Sequence, residues 1–96
     1  MSKIQIEGKT AYPKEKITEQ LLNLVKGRLT IIKKEITEIQ MDIKQFQSKY
    51  SLNDEEFIEK YQNGELGDDQ DFFVWKGSIQ LLDALSEEEK MLREIL

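Results

Sequence analysis

Residues 21–50 read LLNLVKGRLTIIKKEITEIQMDIKQFQSKY, and within them Leu22, Val25, Leu29, Ile32, Ile36, Ile39, Ile43, Phe46 and Tyr50 recur at alternating steps of three and four. That spacing returns apolar side chains to one face of an α-helix, whose repeat is 3.6 residues. Gly27 falls inside the run and costs up to ~1 kcal/mol relative to alanine. The stripe keeps its phase on both sides of it, so one continuous helix is predicted. Pro13 has a fixed φ and no amide hydrogen to lose, which suits the first turn of a helix. The long helix is therefore placed at residues 13–50. At 1.5 Å per residue it is roughly 55 Å long, and its apolar seam calls for a second helix or another chain.

Outward from this rod, the polar stretch from Ser48 to Asp54 ends the helix. Asn53 with Glu56 three residues later has capping-box spacing, so a short helix is expected over residues 54–62. Asn63-Gly64 supplies a left-handed close and Glu65-Leu66-Gly67 a turn. Asp68 and Asp69 stand where acids complement a helix N-terminus. A return helix is expected over residues 69–95, its apolar face carried by Phe72, Trp75, Ile79, Leu82, Leu85, Leu92 and Leu96. Before the rod, Lys3-Ile4-Gln5-Ile6-Glu7 alternates polar and apolar, as a short strand would; residues 1–12 form that strand or an arm.

The fold class expected is all-α: a single domain built as a long helical hairpin, an antiparallel coiled coil with a short helix at the hinge. Charge supports the hairpin over a parallel pairing of two rods. In a parallel pair, residues flanking the seam meet at a five-residue offset, setting Arg28 against Lys33, Glu35 against Gln40 and Asp42 against Gln47. None of these is an ion pair. A return helix folded back from a hinge near Tyr50 brings Glu87, Glu88 and Glu89 alongside Arg28, Lys33 and Lys34. Exposed pairs are worth ~0.2 to 1 kcal/mol each, enough to select a register. Leu21, Leu24 and Ile31 lie on another side of the rod, where a homodimer or other homo-oligomer can form.

The chain has 96 residues, no cysteine and no histidine. Disulfides, thiolate metal sites, thiol nucleophiles, imidazole ligands and the usual proton shuttle near neutral pH are thereby excluded. No run approaches the roughly 20 apolar residues of a membrane span, and the first residues are too polar for a signal peptide; a cytoplasmic protein is expected, without cofactor or membrane partner. The net charge of -5 is unevenly placed. Residues 1–34 carry eight Lys or Arg against three acids, a net +5, and residues 35–96 carry six against sixteen, a net -10.

Seven of the eight aromatics, Phe46, Tyr50, Phe57, Tyr61, Phe72, Phe73 and Trp75, lie within thirty residues and are interleaved with acids. Aromatic stripes at helical spacing usually face inward, which makes a small core at the hinge. Tyr and Trp are also enriched at interface hot spots, and Phe72-Phe73-Val74-Trp75 spans a full turn that one face cannot bury. Phe73 and Val74 are the candidates for outward contact. The candidate partner-binding set is Phe57, Tyr61, Asp68, Asp69, Asp71, Phe73, Val74 and Trp75.

Two other sites are weighed and set aside. Glu65, Asp68, Asp69 and Asp71 offer oxygen ligands, but without the alternating donors, central glycine and terminal bidentate acid of a calcium loop. Lys26, Arg28, Lys33 and Lys34 form a basic patch on neighbouring turns. A free-standing nucleic-acid binder is basic as a domain, whereas this chain is acidic. Its acid-rich two-thirds suits a basic protein partner, where complementary fields speed association and select orientation.

Lys49-Tyr50-Ser51-Leu52-Asn53-Asp54-Glu55-Glu56-Phe57, followed by Gly64-Glu65-Leu66-Gly67-Asp68-Asp69-Gln70-Asp71-Phe72-Phe73-Val74-Trp75, resembles a family of short archaeal and cyanobacterial TumA-like antitoxins encoded beside ribonuclease-like toxins of the TumE type. The resemblance covers about residues 46–76, with GELGDD, then DFF and a tryptophan, as its core. Ser51 stands where a glycine is common and Val74 where an acid is common. The resemblance implies a non-catalytic protein that binds and neutralises a toxin. A self-assembling coiled-coil structural or adaptor protein is the alternative.

Overall fold

The computed structural model describes residues 13–96; the expected strand or arm over residues 1–12 lies outside the described residues. Three helices follow in order: α1 (Lys14–Tyr50), α2 (Asp54–Gln62) and α3 (Gln70–Ile95). Among the described residues there is no strand. α1 and α3 pack against each other along their length as a helical hairpin, and α2 crosses the closed end. The radius of gyration is 21.1 Å, against about 12 to 13 Å for a compact domain of this length. The molecule is a rod of 64 × 26 × 19 Å.

α1 runs unbroken through Gly27, where a Cβ would meet nothing within 4 Å. Pro13 is the residue before the first helical turn, not in it: its φ and ψ are -61° and 158°. Its carbonyl accepts from the amides of Lys16 and Ile17 at 3.0 and 3.1 Å, so the ring fixes the entry angle while the carbonyl starts the ladder. The helix ends at Ser51, whose φ of 55° is left-handed. Leu52 N–H there donates to the Gln47 carbonyl at 3.3 Å. A side chain in this conformation costs ~1 to 2 kcal/mol, so Ser51 carries strain where a glycine would have none.

α2 begins with the expected capping box. Glu56 N–H donates to the Asn53 side chain at 2.8 Å, and Asn53 N–H donates to the Glu56 carboxylate at 3.0 Å. Gly64, at φ 73°, and Gly67, at φ 81°, turn the chain into α3, where Asp69 caps the helix by accepting from Asp71 N–H at 2.8 Å. α3 thus starts one residue later than the acids suggested.

The core lies at the hinge. Ile43, Phe57, Phe72 and Trp75 are its buried members, with Ile39, Phe46, Tyr50, Leu52, Tyr61, Leu66, Ile79 and Leu82 packed around them. Toward the open end the seam thins to Leu29, Ile32 and Leu85. The expected opposition of charges is met once: Arg28 forms a two-pronged pair with Glu88 at 2.9 and 3.0 Å. Glu87 and Glu89 do not pair with Lys33 or Lys34: with Arg28 opposite Glu88, those lysines lie more than a turn further along α1, and the two acids pair along their own helix with Lys90 and Arg93. α3 is eleven residues shorter than α1, about 16 Å at helical rise. The first turns of α1 extend beyond its companion, and Ile17 there is exposed; Leu21 and Leu24 are exposed on a side of α1 that α3 does not cover.

Candidate functional site

Trp75 organises the hinge end. Its indole is fully buried and lies parallel to the Phe57 ring, with centroids 3.8 Å apart and planes 3° from parallel. Phe46 and Tyr50 of α1 stack on it at 5.7 and 6.1 Å. A buried indole N–H needs an acceptor, and it donates to Asp54 Oδ1 at 2.9 Å. The Gln47 amide donates to the same oxygen at 3.1 Å. One carboxylate at the first turn of α2 therefore ties α1, α2 and α3 together, while its charge complements the helix N-terminus.

This arrangement corrects the candidate partner-binding set. Phe57 and Trp75 contact no solvent; a partner cannot reach them without opening the fold, because α2 covers both rings. Tyr61 is half-buried, packed on Phe57 at 5.6 Å with the Lys76 ammonium 5.4 Å from its ring centroid. Asp71 is also partly committed: its carboxylate accepts from Lys49 Nζ at 2.7 Å and from the Tyr50 hydroxyl at 2.6 Å. Those two donors hold the Asp71 carboxyl below the usual carboxylate range, Lys49 first. The bond to Asp71 raises Lys49, and the bond to Asp71 together with burial raises the Tyr50 phenol. Asp69 spends one oxygen on the α3 cap.

The remaining candidates face outward. Phe73 is 73% exposed, more than any other large apolar side chain among the described residues, and Val74 beside it is 43% exposed. Asp68 is exposed on the turn leading into α3. The structure also joins residues that the sequence reading did not single out: Ile58 and Ile79 floor a shallow depression between α2 and α3, rimmed by Asp54, Glu55 and Glu59. Ile58 and Glu55 stand three residues apart, which hinted at a shared face of α2. That Ile79 would meet them followed from the crossing of two helices, which no local pattern records.

What this end presents to solvent is apolar side chains with carboxylates beside them. Among the described residues no group of three or more acids converges as a metal cage, and no helix is long and apolar enough to cross a membrane. Comparison of the chain with known family descriptions, with curated proteins and with solved structures finds no match.

Proposed function

We propose that the chain is a non-catalytic binding protein of the cytoplasm whose acid-rich hinge end covers a basic protein surface, as an antitoxin covers a ribonuclease-like toxin. The observation that carries this reading is Phe73, a large ring held in water on a rigid helix, with Val74 next to it and Asp68, Asp69 and Asp71 along the adjoining turn. An exposed aromatic flanked by like charges fits a surface that pairs apolar and opposite-sign groups. A nuclease site built to hold RNA phosphates is such a surface. Ile58 and Ile79 offer a second foothold, and Glu55 and Glu59 at its rim would meet lysine or arginine of the partner.

The test is co-expression with the product of the neighbouring gene. A single complex is expected on gel filtration, and Phe73→Ala with Val74→Ala should weaken it at least ~30-fold, the effect of losing one hot spot of about 2 kcal/mol, without loss of helix content. Two separately eluting proteins would reject the reading. The adaptor reading, in which the partner is another copy of the chain, draws on a different observation, the exposed side chains Ile17, Leu21, Leu24 and Ile31 at the opposite end.

A further inference from the structure

We propose that two copies of this chain pair antiparallel through the outer side of α1, in one register centred near residue 26, leaving the two hinge ends free at opposite tips. The surface is defined by two interleaved seven-residue series. Lys14, Leu21, Arg28 and Glu35 form one, and Ile17, Leu24, Ile31 and Glu38 the other. Steps of three and four between them make a coiled-coil stripe, distinct from the seam that α3 covers. Ile17, Leu21, Leu24 and Ile31 are 43%, 57%, 70% and 52% exposed. A solvated helix face does not ordinarily carry four such residues in heptad phase.

Charge selects the occupant and its direction. A parallel partner would set each position against its own copy, stacking Lys14 on Lys14 and Glu38 on Glu38 as unpaired like charges, and Arg28 on Arg28 and Glu35 on Glu35 as groups already paired within their own chain. An antiparallel partner sets one series against the other. Leu21 then meets Ile31, Leu24 meets the stem of Arg28, Ile17 meets the stem of Glu35, and Lys14 meets Glu38, each twice by symmetry. Arg28 enters this layer already neutralised by Glu88 at 2.9 Å, so its methylenes are available for packing. Lys14 and Glu38 are exposed, and among the described residues neither forms an ion pair within the chain. On α3, Ile95 is seven residues beyond Glu88 and therefore on the same side of its helix; it is 57% exposed and adds apolar area beside the stripe. The register also keeps the two acidic tips apart, by roughly 70 Å at helical rise, which a chain of net charge -5 favours.

The experiment uses the full chain alone, so its outcome is separate from that of the toxin-binding test. Sedimentation equilibrium is expected to give twice the chain mass of 11.3 kDa. Leu24→Glu should shift it to monomer with unchanged helix content, since that side chain contacts water. Lys14→Glu should raise the dissociation constant roughly five-fold, the effect of losing two exposed pairs, and the added change Glu38→Lys should restore it. Because the chain has no cysteine, Gln45→Cys accepts a single spin label, for which pulsed electron resonance should report about 57 Å between copies at helical rise. A monomer at all concentrations, a label distance below about 20 Å as a parallel pair requires, or failure of the charge swap to restore association would overturn the proposal.

Discussion

The two ends of the rod are built from similar helical sequence and reach opposite outcomes. At the hinge, three helices converge on Trp75 and Phe57, every apolar ring except Phe73 finds partners, and one carboxylate oxygen serves two donors from different helices. Toward the open end α3 covers only one side of α1, and Leu21, Leu24 and Ile31 on another side face water, as does Ile17 past the end of α3. The difference teaches that amphipathic pattern specifies a face but not what covers it. Burial at the hinge comes from chain reversal, which supplies two further helices within reach, whereas toward the open end α3 alone is at hand and shields a single side of α1.

Substituting at the heart of the closed end should break this contrast most severely. Trp75→Ala removes a fully buried side chain and leaves Asp54 without its indole donor; a loss of about 3 to 5 kcal/mol is expected, measurable by urea denaturation and comparable with the whole stability of a small domain. A loss below about 1 kcal/mol would mean that the hinge is no better packed than the open end. Asn53→Ala takes away one half of the capping box and should cost about 1 kcal/mol, read from the same transition.

Two backbone substitutions probe the rod itself, in opposite chemical directions. Ser51→Gly relieves a left-handed residue and should stabilise by up to about 1 kcal/mol, part of the strain being offset by the looser unfolded chain. Gly27→Ala places a methyl in open space within α1 and should stabilise by up to about 1 kcal/mol. Thermal midpoints above that of the parent check both.

The smallest effect concerns the clamp of Lys49, Tyr50 and Asp71, which lies near the surface. Asp71 has a depressed folded pKa, so its contribution is present above the unfolded value and is lost as pH falls through the folded one. Lys49 and Tyr50 are raised, so their contribution holds below their unfolded values and fades as pH rises through the folded ones. Stability attributable to the clamp is therefore a plateau between an acid and an alkaline edge. Asp71→Asn should lower the denaturation midpoint near neutrality and shallow its decline toward acid, as followed by urea titrations at several pH values; curves parallel to the parent would remove the clamp from the account.

Much of the fold was legible because its determinants are local. The steps of three and four from Leu22 to Tyr50, the Asn53 and Glu56 cap and the Asp69 cap each act within one or two turns, so the sequence places α1, α2 and α3 within a residue or so of where they lie. Which side chains of the candidate site face water was legible only by halves. Phe73 and Val74 follow from the fact that one helix face cannot hold a full turn of apolar side chains. Phe57 and Trp75 carry the same chemistry and are buried instead, and Asp71 is drawn into a clamp. Their separation depends on the angle at which α2 crosses the hairpin.

The chain by itself determined a long amphipathic rod, a reversal, capped helices and an acidic aromatic segment, since hydrogen bonds and apolar phase within a helix depend on near neighbours. Tertiary structure alone decided which aromatics face water, that Asp54 joins three helices, that Arg28 rather than Lys33 or Lys34 meets the return helix, and how far α1 outruns α3. Those outcomes rest on register and crossing angle between elements distant in sequence, fixed only when their side chains compete for the same space.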